Sequence, residues 1–275
     1  MKRIFHPVLL CCFLLWVAGC APLPSSPSAG KGTQEVVVFA AASLTDVFGS
    51  LAADFQQKQP GATVIFNFAG SQQLASQLAQ GARADIFASA DQRQMEAVVQ
   101  AGWIDPASVA LFACNRLVAV VSQPGLASLG DLTRPGVKIV IGSEAVPVGV
   151  YTRAFLDAAV TDPAYGEAFR RGVLANVVSY EQSVRAVLSK VRLGEADAGI
   201  VYTTDAQSAP DVAVLEIPAH LNQTAGYQIA ILRDSGVSDL ARQFVEFVRS
   251  PAGGQRLTDA GFSTACVAAG GQAAP

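Results

Sequence analysis

Residues 36–68 read VVVFAAASLTDVFGSLAADFQQKQPGATVIFNF, and they decide the fold class. The runs 36–41 and 62–68 are almost continuously apolar, which is typical of parallel strands that are buried on both faces. The residues between them place apolar side chains at the spacing of an amphipathic helix: Leu44, Val47, Phe48, Leu51 and Phe55. This stretch therefore predicts a strand, a helix and a second strand.

The same alternation continues along the chain. Six further apolar runs are candidate strands: 84–89, 116–121, 137–142, 198–202, 212–217 and 227–232. A helical spacing returns near the end of the chain at Leu240, Phe244, Phe247 and Val248. Strands that alternate with helices over 275 residues predict an α/β protein with open, doubly wound sheets, in one large domain or two modest ones.

The composition excludes several classes of protein. Hydrophobic residues make up 51% and charged residues 15% of the chain, so it is not intrinsically disordered. The net charge is −3, whereas proteins that bind nucleic acid usually carry an excess of positive charge. We therefore do not expect nucleic acid as a partner. With only two histidines, the chain has little material for histidine catalysis or a histidine-rich metal site.

The first twenty residues, MKRIFHPVLLCCFLLWVAGC, have the organisation of an export signal. Their apolar run, 8–17, is too short to span a bilayer. The run is followed by Val-Ala-Gly-Cys at 17–20, which resembles the lipobox of bacterial lipoproteins. The resemblance implies a signal peptide over 1–19 and a lipid on Cys20. An ordinary secretory signal is the alternative. Residues 20–33 are rich in Pro, Ser and Gly and predict a flexible tether, so we expect an exported protein held at a membrane.

Two cysteines remain in the body, Cys114 and Cys266. An oxidising exterior would permit a disulfide between them. Two buried free thiols are the alternative, and the sequence does not decide between the two.

The motifs of common enzymes are absent from the sequence. It contains no GxxxxGK[ST], no GxGxxG after a strand, and no CxxC, HExxH or GxSxG. A Ser-His-Asp triad would have to use His220, which no motif supports. We therefore expect a binding protein and not an enzyme.

Four junctions between a strand and a helix point to an anion site. Ser43 and Ser71 are predicted at helix N-caps, and the segments 144–151 and 179–185 open two more helices. Helix N-termini present free N–H groups and a partial positive charge, which favour anions. Capping alone explains any single serine. Four such junctions, short of Lys and Arg, instead predict a site where neutral donors surround a small, fully deprotonated oxyanion.

The chain also resembles a known family. The segments AAASL, FAGSQQLASQLAQGARADIFASAD, PGVKIVIGSEAVPVGVY and GEADAGIVYTTDA resemble bacterial periplasmic molybdate-binding proteins of ABC-type importers, over residues 36–262. The resemblance implies a two-lobed type II periplasmic binding protein fold, in which each lobe is a doubly wound, mostly parallel sheet. Lobe one would comprise 34–115 and 227–275, and lobe two 116–226, with a hinge near Asn115 and Gly226.

The resemblance implies five contacts to the oxyanion. They are the side chains of Ser43, Ser71 and Tyr202 and the main-chain N–H groups of Val148 and Val184. The chain departs from the family at Val148, where alanine is common, and at Gly70, which replaces a serine and removes a hydroxyl. Tyr151 and Tyr180 flank the binding loops, and we interpret both as supporting packing.

The implied function is capture of molybdate, or tungstate of nearly identical size and charge, and delivery to a membrane permease. No cofactor is expected, molybdenum would enter only as the oxyanion, and the protein would be a monomer. Sulfate and ferric iron are alternative solutes, although ferric sites use clustered tyrosinates and only Tyr202 is well placed. An exported hydrolase using Ser43 or Ser71 is the alternative from another class, but no base is visible.

Overall fold

The computed structural model describes residues 33–122 and 124–266. The predicted signal peptide, Cys20 and the tether up to residue 32 lie outside these ranges. No helix in the described ranges has the length and apolar character needed to cross a bilayer.

Strands and helices alternate as the sequence predicts. The strands are β1 Gln34–Ala41, β2 Ala62–Ala69, β3 Ile86–Ser89, β4 Ala110–Val121, β5 Ile139–Gly142, β6 Val177–Glu181, β7 Ala198–Tyr202, β8 Ala213–Glu216 and β9 Thr224–Ile231. The helices are α1 Thr45–Lys58, α2 Ser71–Ala79, α3 Gln92–Gln100, α4 Pro147–Ala159, α5 Gly166–Ala175, α6 Val184–Arg192, α7 Thr203–Gln207, α8 Ser238–Arg249 and α9 Pro251–Asp259. Short 3-10 turns lie at Ala42–Leu44, Pro106–Ser108 and Leu129–Thr133. Each of the eight candidate strands corresponds to a strand of the structure, and β6 is an additional one.

The strands form a sheet in the order β2-β1-β3-β9-β4-β7-β5-β6, with β8 paired to β4. Strand β1 pairs in parallel with β2 and β3, and β5 pairs in parallel with β6 and β7. We call β2, β1, β3 and β9 the first half-sheet, and β7, β5 and β6 the second half-sheet. Each half contains parallel strands joined by helices, which confirms the predicted α/β fold class.

Strand β4 joins the two half-sheets. Its residues 110–116 pair antiparallel with β9, and residues 117–121 pair antiparallel with β7. The predicted hinge positions are neighbours in this ladder, because Asn115 pairs with Ala225, the residue before Gly226. The division into two lobes at these positions stays a prediction.

An aromatic cluster anchors α1 to the first half-sheet. The Phe48 ring is fully buried and lies 6.0 Å from the Phe66 ring of β2 and 6.2 Å from the Phe244 ring of α8. Phe55, two turns further along α1, meets Phe244 edge-on at 5.3 Å. Such pairs add about 0.5–1.5 kcal/mol beyond burial of their area, so α1 is held firmly behind the turn that carries Ser43.

Cys114 and Cys266 form a disulfide, with their Cα atoms 5.6 Å apart. The N–H of Cys114 donates to the Ser263 carbonyl at 2.7 Å, and the N–H of Ser263 donates back to the Cys114 carbonyl at 2.9 Å. The structure therefore settles the alternative that the sequence leaves open, and it ties the C-terminal segment to β4 beside the crossing between the half-sheets.

Candidate functional site

A small cavity lies where the carboxyl ends of six strands meet. Its volume of about 10 Å³ suits a small ion and excludes a sugar or a peptide. The lining residues are Ala41, Ala42, Ser43, Gly70, Ser71, Ala90, Val146, Pro147, Val148, Val184 and Tyr202. This set includes all five predicted contact residues, and none of its members is charged. The location is the one at which open α/β sheets bind ligands.

Helix N-termini surround this cavity. Ser71 is the first residue of α2, Val184 is the first residue of α6, and Val148 is the second residue of α4. The first N–H groups of a helix have no acceptor within the helix. The aligned peptide dipoles add a partial positive charge at the same end. The cavity is therefore electropositive without containing a cation.

The prediction that Ser43 and Ser71 are N-caps is wrong. Ser43 lies within the turn Ala42–Leu44, and Ser71 follows Gly70, which occupies the N-cap position of α2. Neither hydroxyl returns to its own helix. Ser43 Oγ is 2.8 Å from the Tyr227 hydroxyl, and Ser71 Oγ accepts a hydrogen bond from the Ala90 N–H at 3.1 Å. Ser43 therefore contacts β9, and Ser71 bonds to the residue that directly follows β3.

Tyr202 ends β7 and is 1% exposed. Its hydroxyl has no hydrogen-bond partner in the part of the chain that the structure describes. A buried donor without a partner costs about 1–3 kcal/mol, so the site has an unmet requirement for an acceptor. Burial raises the pKa of Tyr202 well above its ordinary value, and the phenol therefore keeps its proton for donation.

Tyr227 of β9 is a second buried tyrosine at the site, which the sequence analysis did not single out. It is fully buried, its ring lies 6.0 Å from that of Tyr202, and its hydroxyl contacts Ser43 Oγ. In the sequence it opens the apolar run 227–232 and resembles any core aromatic residue. Its contact with Ser43 spans 184 residues of chain, which only the fold brings together.

The two flanking tyrosines differ from each other. Tyr151 is 7% exposed and meets Tyr202 edge-on at 6.5 Å, as expected of supporting packing. Tyr180 is 48% exposed on the edge strand β6, with the Arg153 guanidinium 6.0 Å from its ring centroid. The packing interpretation is therefore wrong for Tyr180, which lies with Val178 on the solvent-exposed face of β6.

Two buried carboxylates lie near the cavity without lining it. Asp91 caps α3 by accepting from the Gln94 N–H at 2.9 Å, and burial raises its pKa. Asp205 of α7 is fully buried beside Arg185, and burial raises its pKa to about 6 although the guanidinium opposes this. Neither residue stands out in the sequence, since an acidic residue shortly after a strand is common.

Several hydrogen bonds cross from one half-sheet to the other around the cavity. Gln72 Nε2 of α2 donates to the Gln182 carbonyl at 2.8 Å. The guanidinium of Arg93 donates to the carbonyls of Ala145, at 3.0 Å, and Glu144, at 3.3 Å. The structure is therefore a closed arrangement, in which loops of both half-sheets meet over the site.

The residues at the cavity are not arranged as the two alternative functions, a serine hydrolase and a ferric iron receptor, would require. His220 is exposed and pairs with Asp162 at 2.7 Å, and neither cavity serine contacts it. Tyr202 is the one tyrosine among the lining residues. Burial raises the pKa of Tyr202 and of its neighbours Tyr151 and Tyr227, which disfavours the tyrosinates that a ferric site uses. Across 33–122 and 124–266, no group of three or more His, Cys, Asp and Glu side chains could hold a metal ion.

Comparison with known proteins assigns the chain to a family. Bacterial extracellular solute-binding proteins match it over residues 36–263. Molybdate-binding protein ModA of Mycobacterium tuberculosis is 42% identical over 248 residues, which cover 87% of this chain and 89% of that relative. The periplasmic molybdate-binding protein of Azotobacter vinelandii shares the fold with a TM-score of 0.72 at 24% identity, over 83% of this chain and 98% of that one. The sulfate-binding protein SubI of Mycobacterium tuberculosis also has a TM-score of 0.72, at 17% identity, over 85% of this chain and 88% of that one. The chain thus belongs to the bacterial extracellular solute-binding proteins.

Proposed function

We propose that this protein is an extracytoplasmic receptor that captures molybdate, and also tungstate, and delivers the anion to the permease of an ABC importer. The observation that carries the proposal is the buried Tyr202 hydroxyl, which has no partner among the described residues and belongs to a cavity lined by neutral groups. A ligand that only accepts hydrogen bonds would satisfy it.

The donor chemistry matches a fully ionised tetrahedral anion. Molybdate and tungstate carry no proton at neutral pH, so their oxygens accept hydrogen bonds and donate none. Phosphate retains a proton, and a carboxylate side chain that accepts this proton would favour its binding. The lining residues include no such carboxylate. Neutral donors also avoid the desolvation cost of burying a Lys or Arg.

The relatives support molybdate in particular. The Mycobacterium tuberculosis relative, 42% identical over most of both chains, bears the name molybdate-binding protein. All five residues that the molybdate-binding family would contribute line one cavity here: Ser43, Ser71, Val148, Val184 and Tyr202.

Sulfate is the second candidate, because it is also a fully ionised tetrahedral dianion and a sulfate-binding protein shares the fold. Sulfate is smaller than molybdate and carries the same charge, so a site can distinguish the two anions only by their size. The preference for molybdate rests on the relative of Mycobacterium tuberculosis that is named for this anion.

A thermal shift panel tests the proposal. The purified chain is heated with molybdate, tungstate, sulfate, phosphate or ferric citrate, and titration calorimetry gives the affinities of the ligands that shift Tm. A ligand at about 100 times its Kd stabilises the folded state by about 2.7 kcal/mol. Large shifts with molybdate and tungstate alone support the proposal. A sulfate shift of equal size would contradict the preference for molybdate.

We also propose that the receptor is lipid-anchored through Cys20, since the motif before it resembles a lipobox. Mass spectrometry of the membrane fraction should find a diacylated cysteine at the mature N-terminus. Cys20→Ala should abolish this species and prevent normal processing. A soluble mature chain that begins elsewhere would contradict the anchor and leave the ligand proposal intact.

The closed arrangement would open by a hinge between the two predicted lobes, near Asn115 and Gly226. Ser43 and Ser71 belong to one lobe, and Val148, Val184 and Tyr202 to the other, so only closure presents all donors together. Ligand binding then stabilises the closed form. Small-angle scattering should show a monomer whose radius of gyration falls when molybdate is added.

A further inference from the structure

Arg185 lies outside the cavity but contacts two of the segments that form it. It is the second residue of α6 and directly follows Val184, which lines the cavity. Its Nε lies 2.7 Å from Oδ1 of Asp205, and its Nη2 lies 2.5 Å from Oδ2 of Asp46. One guanidinium therefore bridges two carboxylates.

Both carboxylates belong to segments that follow strands lining the site. Asp205 is in α7, directly after β7, and Asp46 is in α1, after the turn that follows β1. The bridge thus connects the segments that carry three of the five proposed ligand contacts. These contacts are Ser43, Val184 and Tyr202.

The two ion pairs differ in burial and in what they join. Asp205 is fully buried and lies, like Arg185, on the second half-sheet, so this pair persists whether or not the halves approach each other. Asp46 is 61% exposed and lies on the first half-sheet. Its pair with Arg185 forms only when the two halves meet.

We propose that Arg185 is a positioning residue for ligand closure: Asp205 orients its guanidinium, and Asp46 of the opposite half-sheet docks on it as the site closes. Arg185 is not among the residues that line the cavity, and its guanidinium acts by holding Val184 and Ser43 in their closed relationship. Its charge is matched by two carboxylates, so the cavity itself keeps only neutral donors. The inference rests on the proposed function, because it concerns affinity for molybdate.

Asp46 is the residue to change, because replacing Arg185 would leave Asp205 buried without a partner and destabilise the fold. Asp46→Asn should weaken molybdate binding about 2- to 5-fold, the scale of one exposed ion pair. Asp46→Lys adds repulsion and should weaken it about 10-fold. Both losses should shrink in about 1 M NaCl, where the screening length is about 3 Å. The ligand-free Tm should fall only slightly, because Asp46 is exposed but lies in the first turn of α1, where a carboxylate stabilises the helix.

Asp54 supplies the matched control. It lies on the same helix and pairs with Arg256 of α9 at 2.6 Å, a contact that does not reach the second half-sheet. Asp54→Asn and Asp54→Lys should therefore leave molybdate affinity unchanged at both salt concentrations.

Titration calorimetry of the parent and the four variants separates the outcomes. Asp46→Lys binding molybdate as tightly as the parent at low salt would overturn the inference, as would equal losses in the Asp46 and Asp54 variants. A parent chain that does not bind molybdate at all would overturn the proposed function, and this inference with it.

Discussion

A Cβ atom on Gly70 would overlap the main-chain carbonyl oxygen of Gln182, a residue of the opposite half-sheet. The φ angle of Gly70 is −60°, which any residue can adopt, so glycine is required here for space and not for backbone conformation. The missing side chain lets the loop after β2 approach the loop after β6. Gly70 is therefore a point of close approach between the two half-sheets.

Gly70→Ala should hold the site partly open. Relief of such an overlap costs about 1–3 kcal/mol, which corresponds to about 5- to 150-fold weaker binding of molybdate. Calorimetry measures this loss. Gly49→Ala is the control, because a Cβ on Gly49 in α1 meets nothing within 4 Å and should leave affinity unchanged. Parent-like affinity in Gly70→Ala would show that closure does not need this approach.

Ser43→Ala and Ser71→Ala should each weaken molybdate binding by about 1.5–3 kcal/mol, or about 10- to 150-fold. Each also removes a bond inside the protein, with Tyr227 or with the Ala90 N–H, so Tm should fall modestly. Val148→Ala should change affinity little, since its expected contact is through the main chain. Parent affinity in both serine variants would contradict the site assignment.

The sequence predicts the fold well because buried parallel strands are continuous apolar runs. It misses β6 because this edge strand alternates half-buried and exposed residues over only five positions, VVSYE, and lacks such a run. The five predicted contact residues follow from a family resemblance, and the structure shows that all of them line one cavity.

The partners of those residues are harder to predict. The preference of serine for N-caps does not distinguish a serine that caps its own helix from one that bonds to a distant segment, as Ser71 does with Ala90 after β3. Arg185 and Asp46 are 139 residues apart, and nothing local marks either as a partner of the other. Their pairing is decided by the crossing of β4 between the half-sheets.

Asp205 should make the free energy of unfolding depend on pH in an unusual direction. Burial raises its folded pKa to about 6, above the ordinary value of about 3.9 in the unfolded chain. The folded state therefore holds the proton more tightly, and the contribution of Asp205 to stability falls as pH rises from about 4 to about 6. The full change is about 3 kcal/mol.

Urea denaturation of the parent and Asp205→Asn across pH 4 to 7.5 tests this, since the variant cannot titrate at this position. The stability of the parent relative to the variant should decrease over that interval and level off above about pH 6. A difference that is flat, or that rises with pH, would contradict a raised pKa for Asp205.

Tyr202→Phe should separate ligand binding from folding. Its hydroxyl is buried and bonds to nothing in the described ranges, so removing it should leave the ligand-free Tm unchanged or slightly higher. Molybdate would lose a donor in the closed site, and affinity should fall about 10- to 150-fold unless a water replaces the hydroxyl and softens the loss.

Tyr151→Phe is the matched control: this buried tyrosine packs against Tyr202 without lining the cavity, and molybdate affinity should survive its change. Thermal shift and calorimetry on the two variants measure both quantities. If Tyr202→Phe lowers Tm while binding molybdate like the parent, its hydroxyl is structural and does not contact the ligand.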